Sequence, residues 1–152
     1  MKYGKIPGPK EWEGYKNDLD VQYAHKMFFG KSIPEVMDHF SVGGRCIERA
    51  SELFFMPRKA FQYYVQAFAE YVKSERAAGD PDAASPFLRL LINREERDPG
   101  SVVEICRKLS DTVDFFASHQ SYFQAPEEIY GSFQDLGDQI RAAYKEHLKN
   151  NA

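Results

Sequence analysis

Cysteine and tryptophan are scarce in this chain of 152 residues: Cys46, Cys106 and the single Trp12 are all there is. Neither cysteine has a Cys-x-x-Cys partner, and a chain of this length builds a core without disulfides. Both thiols are therefore expected buried and reduced, which points to the cytoplasm. No run of about eighteen apolar residues occurs, so no membrane-spanning helix is expected. The opening Met1–Lys10 segment lacks the apolar centre of a secretory leader, so no signal peptide is expected either. Strand-like alternation, internal repeats and low-complexity tracts are missing. Basic excess is missing too: twenty Lys and Arg stand against twenty-three Asp and Glu, a net charge of −3. Without a basic arm or tail, a broad phosphate-binding face is not expected.

Catalytic motifs are equally sparse. The histidines are His25, His39, His119 and His147, and none belongs to an HExxH or Glu-x-x-His pattern. Glu35 and His39 share a helix face but make only half a metal site. Gly30-Lys31-Ser32 resembles the end of a phosphate loop, yet position 25 is His where a glycine is required. Asp111 with Asp114, and Asp135 with Asp138, read as solvated pairs one helical turn apart. No catalytic residue, metal ligand or cofactor is assigned, and the chain is expected not to be an enzyme.

What the chain does have is aromatic side chains. Leu53–Val72 carries seven of them, and Phe61, Tyr64, Val65, Phe68, Tyr71 and Val72 recur at helical spacing. This predicts the central helix of an all-α core, running to about Ala78. Around it the expectation is one helical domain over 18–149, a bundle of six to seven helices, preceded by an extended N-terminal arm over 1–17 pinned by Trp12 and Tyr15. A first helix over 18–29 is expected to turn Leu19, Tyr23, Met27 and Ala24 inward. Ser32 with Glu35, and Ser101 with Glu104, match the capping box. A helix over 44–55 is expected to bury Cys46, Ile47, Ala50, Leu53 and Phe54, and to expose a ladder of Arg45, Glu48, Arg49 and Glu52. A short helix is expected from Ser85-Pro86, with Asn93–Gly100 as a charged connector. A long helix from Ser101 and a last helix from Pro126 complete the set.

Two partner classes follow. Val36, Phe40, Val42, Ile47 and Ala50, with a turn at Ser41, resemble the helix-turn-helix of bacterial regulators, which would make 33–55 a DNA-binding segment. Residues 25–72 hold six basic and five acidic groups, too little positive charge for strong duplex binding. The other class is a protein partner. Phe115 and Tyr122 fall outside the core stripe of their helix, and Arg94, Glu95, Glu96, Arg97 and Asp98 form a mixed-charge run. These seven residues are the sequence-derived docking surface. In size, acidity and lack of catalytic motifs the chain resembles the single-domain helical immunity proteins, which implies a non-catalytic inhibitor that occludes a cognate bacterial toxin.

Overall fold

Side-chain caps start several of the helices. The computed structural model describes residues 2–40 and 45–151. Among them are eight α-helices, five short 3-10 turns and no strand. The Asp18 carboxylate accepts from Asp20 N at 2.8 Å and opens α1, Leu19–Phe28. Ser32 and Glu35 form the expected capping box of α2, Ile33–Met37. Helix α3 spans Arg45–Phe55 and α4 spans Arg58–Lys73. Asp80 caps α5, Pro81–Arg97, with Pro81 in its first position. Helix α6 is Cys106–Ser118, α7 is Glu127–Tyr130 and α8, capped by Ser132, is Phe133–Asn150.

The all-α expectation holds, and α4 is the central helix. Ala60 to Val72 is buried apart from Glu70, and α4 touches α2, α3, α5, α6 and the first 3-10 turn. Even Tyr63 is buried, so α4 is covered on all sides rather than along one stripe. Rings join the layers: Phe40 stacks on Phe68 at 4.7 Å, Phe68 meets Phe87 edge-on, and Phe87 leads through Phe116 to Phe123 and Phe133. The Tyr64 hydroxyl, deep in this core, donates to the carbonyls of Phe28 and Lys31 at 2.7 and 2.8 Å. Helices α6 and α8 pack closely at Gly137, where an added Cβ would lie 3.2 Å from that of Ala117.

Several boundaries differ from expectation. The N-terminal arm is coiled into 3-10 turns at Pro9–Trp12 and Tyr15–Asn17, and Trp12 is fully buried. Helix α4 ends at Lys73 and gives way to a 3-10 turn at Glu75–Ala77. Helix α5 begins before Pro86 and continues through the charged run to Arg97. Pro86 sits past the first turn, where it removes one helical donor. Ser101 does not cap a helix: its hydroxyl donates to the carbonyl of Arg94, and the Glu95 carboxylate accepts from Gly100, Val102 and Val103 N instead. The last helix is broken at Gly131, whose φ of +78° suits glycine.

Two helix faces are also corrected. Helix α1 buries Ala24, as expected, together with Phe28, and Met27 packs half-buried against the core, but Leu19 and Tyr23 turn outward. On α3, Ile47 is exposed, whereas Arg49 and Glu52 are buried against each other at 2.7 Å. Mutual neutralisation is what allows both charges inside. The turn expected at Ser41, with Val42, Gly43 and Gly44, lies outside the described residues, and so does the side chain of Arg45 in the expected ladder.

Candidate functional site

The outward turn of α1 and α3 leaves large apolar side chains bare on both helices. Leu19 is 81% exposed, Ile47 55% and Tyr23 50%, and Phe29 follows at the end of α1. Among the described residues only Ile6, Ile129 and Leu148 are other large apolar side chains so exposed. Isolated apolar side chains on a surface are ordinary, but a cluster marks a docking site. Between α1 and α3 runs a groove of about 540 Å³ lined by Asp20, Tyr23, Ile47, Glu48, Ser51, Glu52 and Phe55. Among the described residues of that lining the charged groups are Asp20, Glu48 and Glu52.

The groove continues across the protein. At Phe55 it meets a second cleft of about 350 Å³, which reaches Tyr15, Arg94, Arg97 and Asp98. The Arg97 guanidinium lies over the rings of Phe54 and Phe55 at 5.0 and 5.5 Å and donates to the carbonyl of Phe54. Past Tyr15 a third cleft, about 510 Å³, is lined by Trp12, Lys16, His25 and Phe29. There His25 is held between Tyr15, 3.8 Å away, and Phe29, 4.4 Å away, with Trp12 edge-on. Burial, then the charge of Lys16, lowers the His25 pKa. This imidazole is neutral at physiological pH and serves as a third ring in the stack.

The seven sequence-derived residues do not form one surface. Arg94 is 3% exposed. It donates to the carbonyls of Phe54 and Met56, both at 2.7 Å, and lies 4.8 Å over the Phe61 ring. It closes the C-terminal end of α3, whose last carbonyls have no helical partner. Glu95 is spent on three backbone amides. Asp98 pairs with Arg58, whose hydrogen bond holds the carboxyl below the usual range. Glu96 and Arg97 remain exposed. Glu95 and Glu96 also edge a small apolar groove against α8, about 230 Å³, with Leu91, Ile92, Val102 and Ile140. Phe115 and Tyr122 do meet each other, at 5.5 Å, and Phe115 stacks on His119 at 4.4 Å. The Tyr122 carbonyl, however, accepts from Gly79 N just before the start of α5, about 20 Å from the charged run at 1.5 Å per residue.

Chemistry-bearing groups are dispersed. No cluster of three or more His, Cys, Asp or Glu with metal-binding geometry occurs among the described residues. Cys46 donates to the Phe40 carbonyl, and burial pushes its thiol up to about 12; the Cys106 thiol is pushed up to about 11. Both stay protonated at neutral pH and are poor nucleophiles. Glu35 is engaged in its capping box and His39 packs edge-on to Phe28. Asp114 and Asp138, expected as solvated, both bind Arg141 at the surface. Helix α3, the recognition helix of the helix-turn-helix reading, turns Ile47, Glu48 and Ser51 outward and Arg49 inward. Comparison with family models, with curated proteins and with solved structures finds no match for this chain. No described helix is long and apolar enough to cross a membrane.

Proposed function

We propose that this protein is a binding module for another protein, and that the α1–α3 face is where the partner docks. The observation that carries this reading is that Tyr23 of α1 and Ile47 of α3, both at least half exposed, line one groove, with the bare Leu19 one turn from Tyr23 on α1. An aromatic anchor next to aliphatic ones, rimmed by charge, is the composition of an interface centre. The narrower form of the proposal is an inhibitor of the immunity type, which would cover a toxin's active cleft with this face.

Affinity capture from the native host tests the docking face. Wild type is expected to retain one dominant partner, and a Tyr23→Ala/Ile47→Asp variant to lose it while melting at the same temperature. Equal capture by both proteins would remove the face. The inhibitor form has its own readout: the purified partner's activity should fall on stoichiometric addition of this chain, and unchanged activity would dismiss it. A DNA-binding role for 33–55 lacks comparable support, because among the described residues α3 exposes Ile47, Glu48 and Ser51 and buries Arg49.

A further inference from the structure

We infer that the cleft between the N-terminal arm, α4 and the start of α6 binds a small phosphate ester that carries hydroxyl groups. The cleft measures about 240 Å³ and takes no residue from α1 or α3, so it is separate from the docking face. Its charged lining is Lys5 of the arm, Lys59 of α4, Lys108 of α6, and Glu11. Among the described residues none of the three lysines has an ion-pair or hydrogen-bond partner. Glu11 accepts from Gly8 N at 3.3 Å in capping the first 3-10 turn. Three ammonium groups against one carboxylate leave a formal +2 on the lining. Lys2 brings a fourth ammonium to 5.2 Å from the ring of Tyr3, which also lines the cleft. Behind the lining, Glu104 and Asp98 are matched by Arg58 and Arg94. Beyond it, α6 adds Arg107 and Asp111, of opposite sign. A cleft lined by one sign of charge focuses its field and concentrates ligands of the other sign.

The neutral lining says what else the anion carries. Gln62 and Gln66 are both buried, and their amide nitrogens are fully used. Gln62 donates to the Ser101 carbonyl at 3.1 Å and to a Glu104 oxygen at 2.9 Å. Gln66 donates to the carbonyls of Tyr3 and Gln62, both at 3.1 Å. An amide nitrogen has two hydrogens to give, so each glutamine brings only its side-chain oxygen to the cleft. Neither oxygen accepts from a described donor, and a ligand hydroxyl supplies one. Lysine binds phosphate as a point charge, and a phosphate ester carries about −1.5 to −2, which answers the formal +2 where a single carboxylate answers half of it. Tyr3, Pro7, Tyr63 and Ile105 give the carbon skeleton apolar walls. The bond from Gln66 to Tyr3 ties the arm to α4, so these walls are in place before the ligand arrives. The volume lies below the about 300–1,000 Å³ of sites for drug-sized ligands, which suits one small ester.

Calorimetric titration of the full chain with glucose 6-phosphate, glucose, inorganic phosphate and succinate tests the inference. The ester is expected to bind one-to-one with a Kd below about 1 mM at low salt, at least about tenfold more tightly than the other three. Lys59→Gln and Lys108→Gln should each weaken it about fivefold, and affinity should fall as salt rises. Both lysines are exposed, so the melting temperature of each variant should match that of wild type. Lys145→Gln, a change at an equally exposed lysine of α8, should leave the affinity unchanged. Amide NMR shifts on titration should move in residues 3–11, 59–66 and 105–108. Absence of binding at about 10 mM ester would overturn the inference. So would equal affinity for inorganic phosphate or succinate, an equal loss in the Lys145→Gln variant, or tighter binding of a single-stranded oligonucleotide than of the ester. None of these results bears on partner capture by the Tyr23→Ala/Ile47→Asp variant, because the two sites share no residue.

Discussion

Replacing Arg94 with methionine should destabilise the protein far more than the same change at Arg97, three residues on. Arg94 is buried, and its guanidinium supplies two 2.7 Å hydrogen bonds to the carbonyls of Phe54 and Met56. Hydrogen bonds from a charged donor contribute about 1.5–3 kcal/mol each, so the gross loss is about 3–6 kcal/mol. Two effects reduce it. The Phe54 carbonyl keeps its bond from Arg97, and the methionine carries no buried charge that must be stripped of water. The Met56 carbonyl is left buried without its Arg94 donor. A net loss of about 3 kcal/mol follows, within the range for breaking a buried charged contact. At about 2–4 °C per kcal/mol for a chain of this size, the melting temperature should fall by about 6–12 °C. Arg97 is exposed, and Arg97→Met should cost about 1 kcal/mol or less. Circular dichroism in urea and on heating reads both. A loss below about 1 kcal/mol for Arg94→Met, or a larger loss for Arg97→Met, would refute the assignment of Arg94 as the clasp on α3.

Neighbouring residues in the same run separate in the same way. Glu95→Ala deprives three backbone amides of their acceptor and should cost about 2 kcal/mol, while Glu96→Ala should stay within about 0.5 kcal/mol; equal values would contradict the capping role. Asp98 titrates below the ordinary 3.8 because Arg58 bonds its carboxylate. A depressed carboxyl stabilises the fold above its ordinary value and loses that contribution as pH falls through the folded one. The melting difference between wild type and Asp98→Asn should thus be full at neutral pH and close in strong acid; a difference independent of pH would exclude the pair. Native protein should show no thiol reactive toward an aromatic disulfide reagent at neutral pH, and two in denaturant, given thiols held near 12 and 11. A thiol that reacts within the mixing time of the folded protein would contradict their burial.

Aromatic density was the legible part of the sequence. Phe61, Tyr64 and Phe68 marked α4 as the centre, and Ser32 with Glu35 marked the start of α2, because both signals are local. The docking groove was not legible, since α1 offers two plausible apolar stripes. Leu19, Tyr23 and Met27 make one; Ala24 and Phe28 with the imidazole of His25 make the other. The choice is made by Trp12 and Tyr15 of the N-terminal arm, which pack on His25 and draw that side inward. No periodicity within α1 contains that information. On α3, charge pattern misled because Arg49 and Glu52 neutralise each other and go inside, which pushes Ile47 out. Arg94 reads as a surface charge in sequence because its acceptors belong to α3, about forty residues earlier. Spacing alone puts Phe115 and Tyr122 on one helix, but α6 ends at Ser118 and Tyr122 stands in the 3-10 turn Gln120–Phe123, where the two rings meet half-buried against the core, and α5, continuing to Arg97, holds them apart from the charged run.

The decisive observation is a hydrogen-exchange footprint taken with the captured partner bound. Slowed exchange should concentrate in amides of residues 19–29 and 45–55, the two walls of the groove. Protection confined to 94–98 and 115–123, with those two walls unchanged, would show that the partner sits elsewhere and that the bare leucine, tyrosine and isoleucine of α1 and α3 serve no docking purpose.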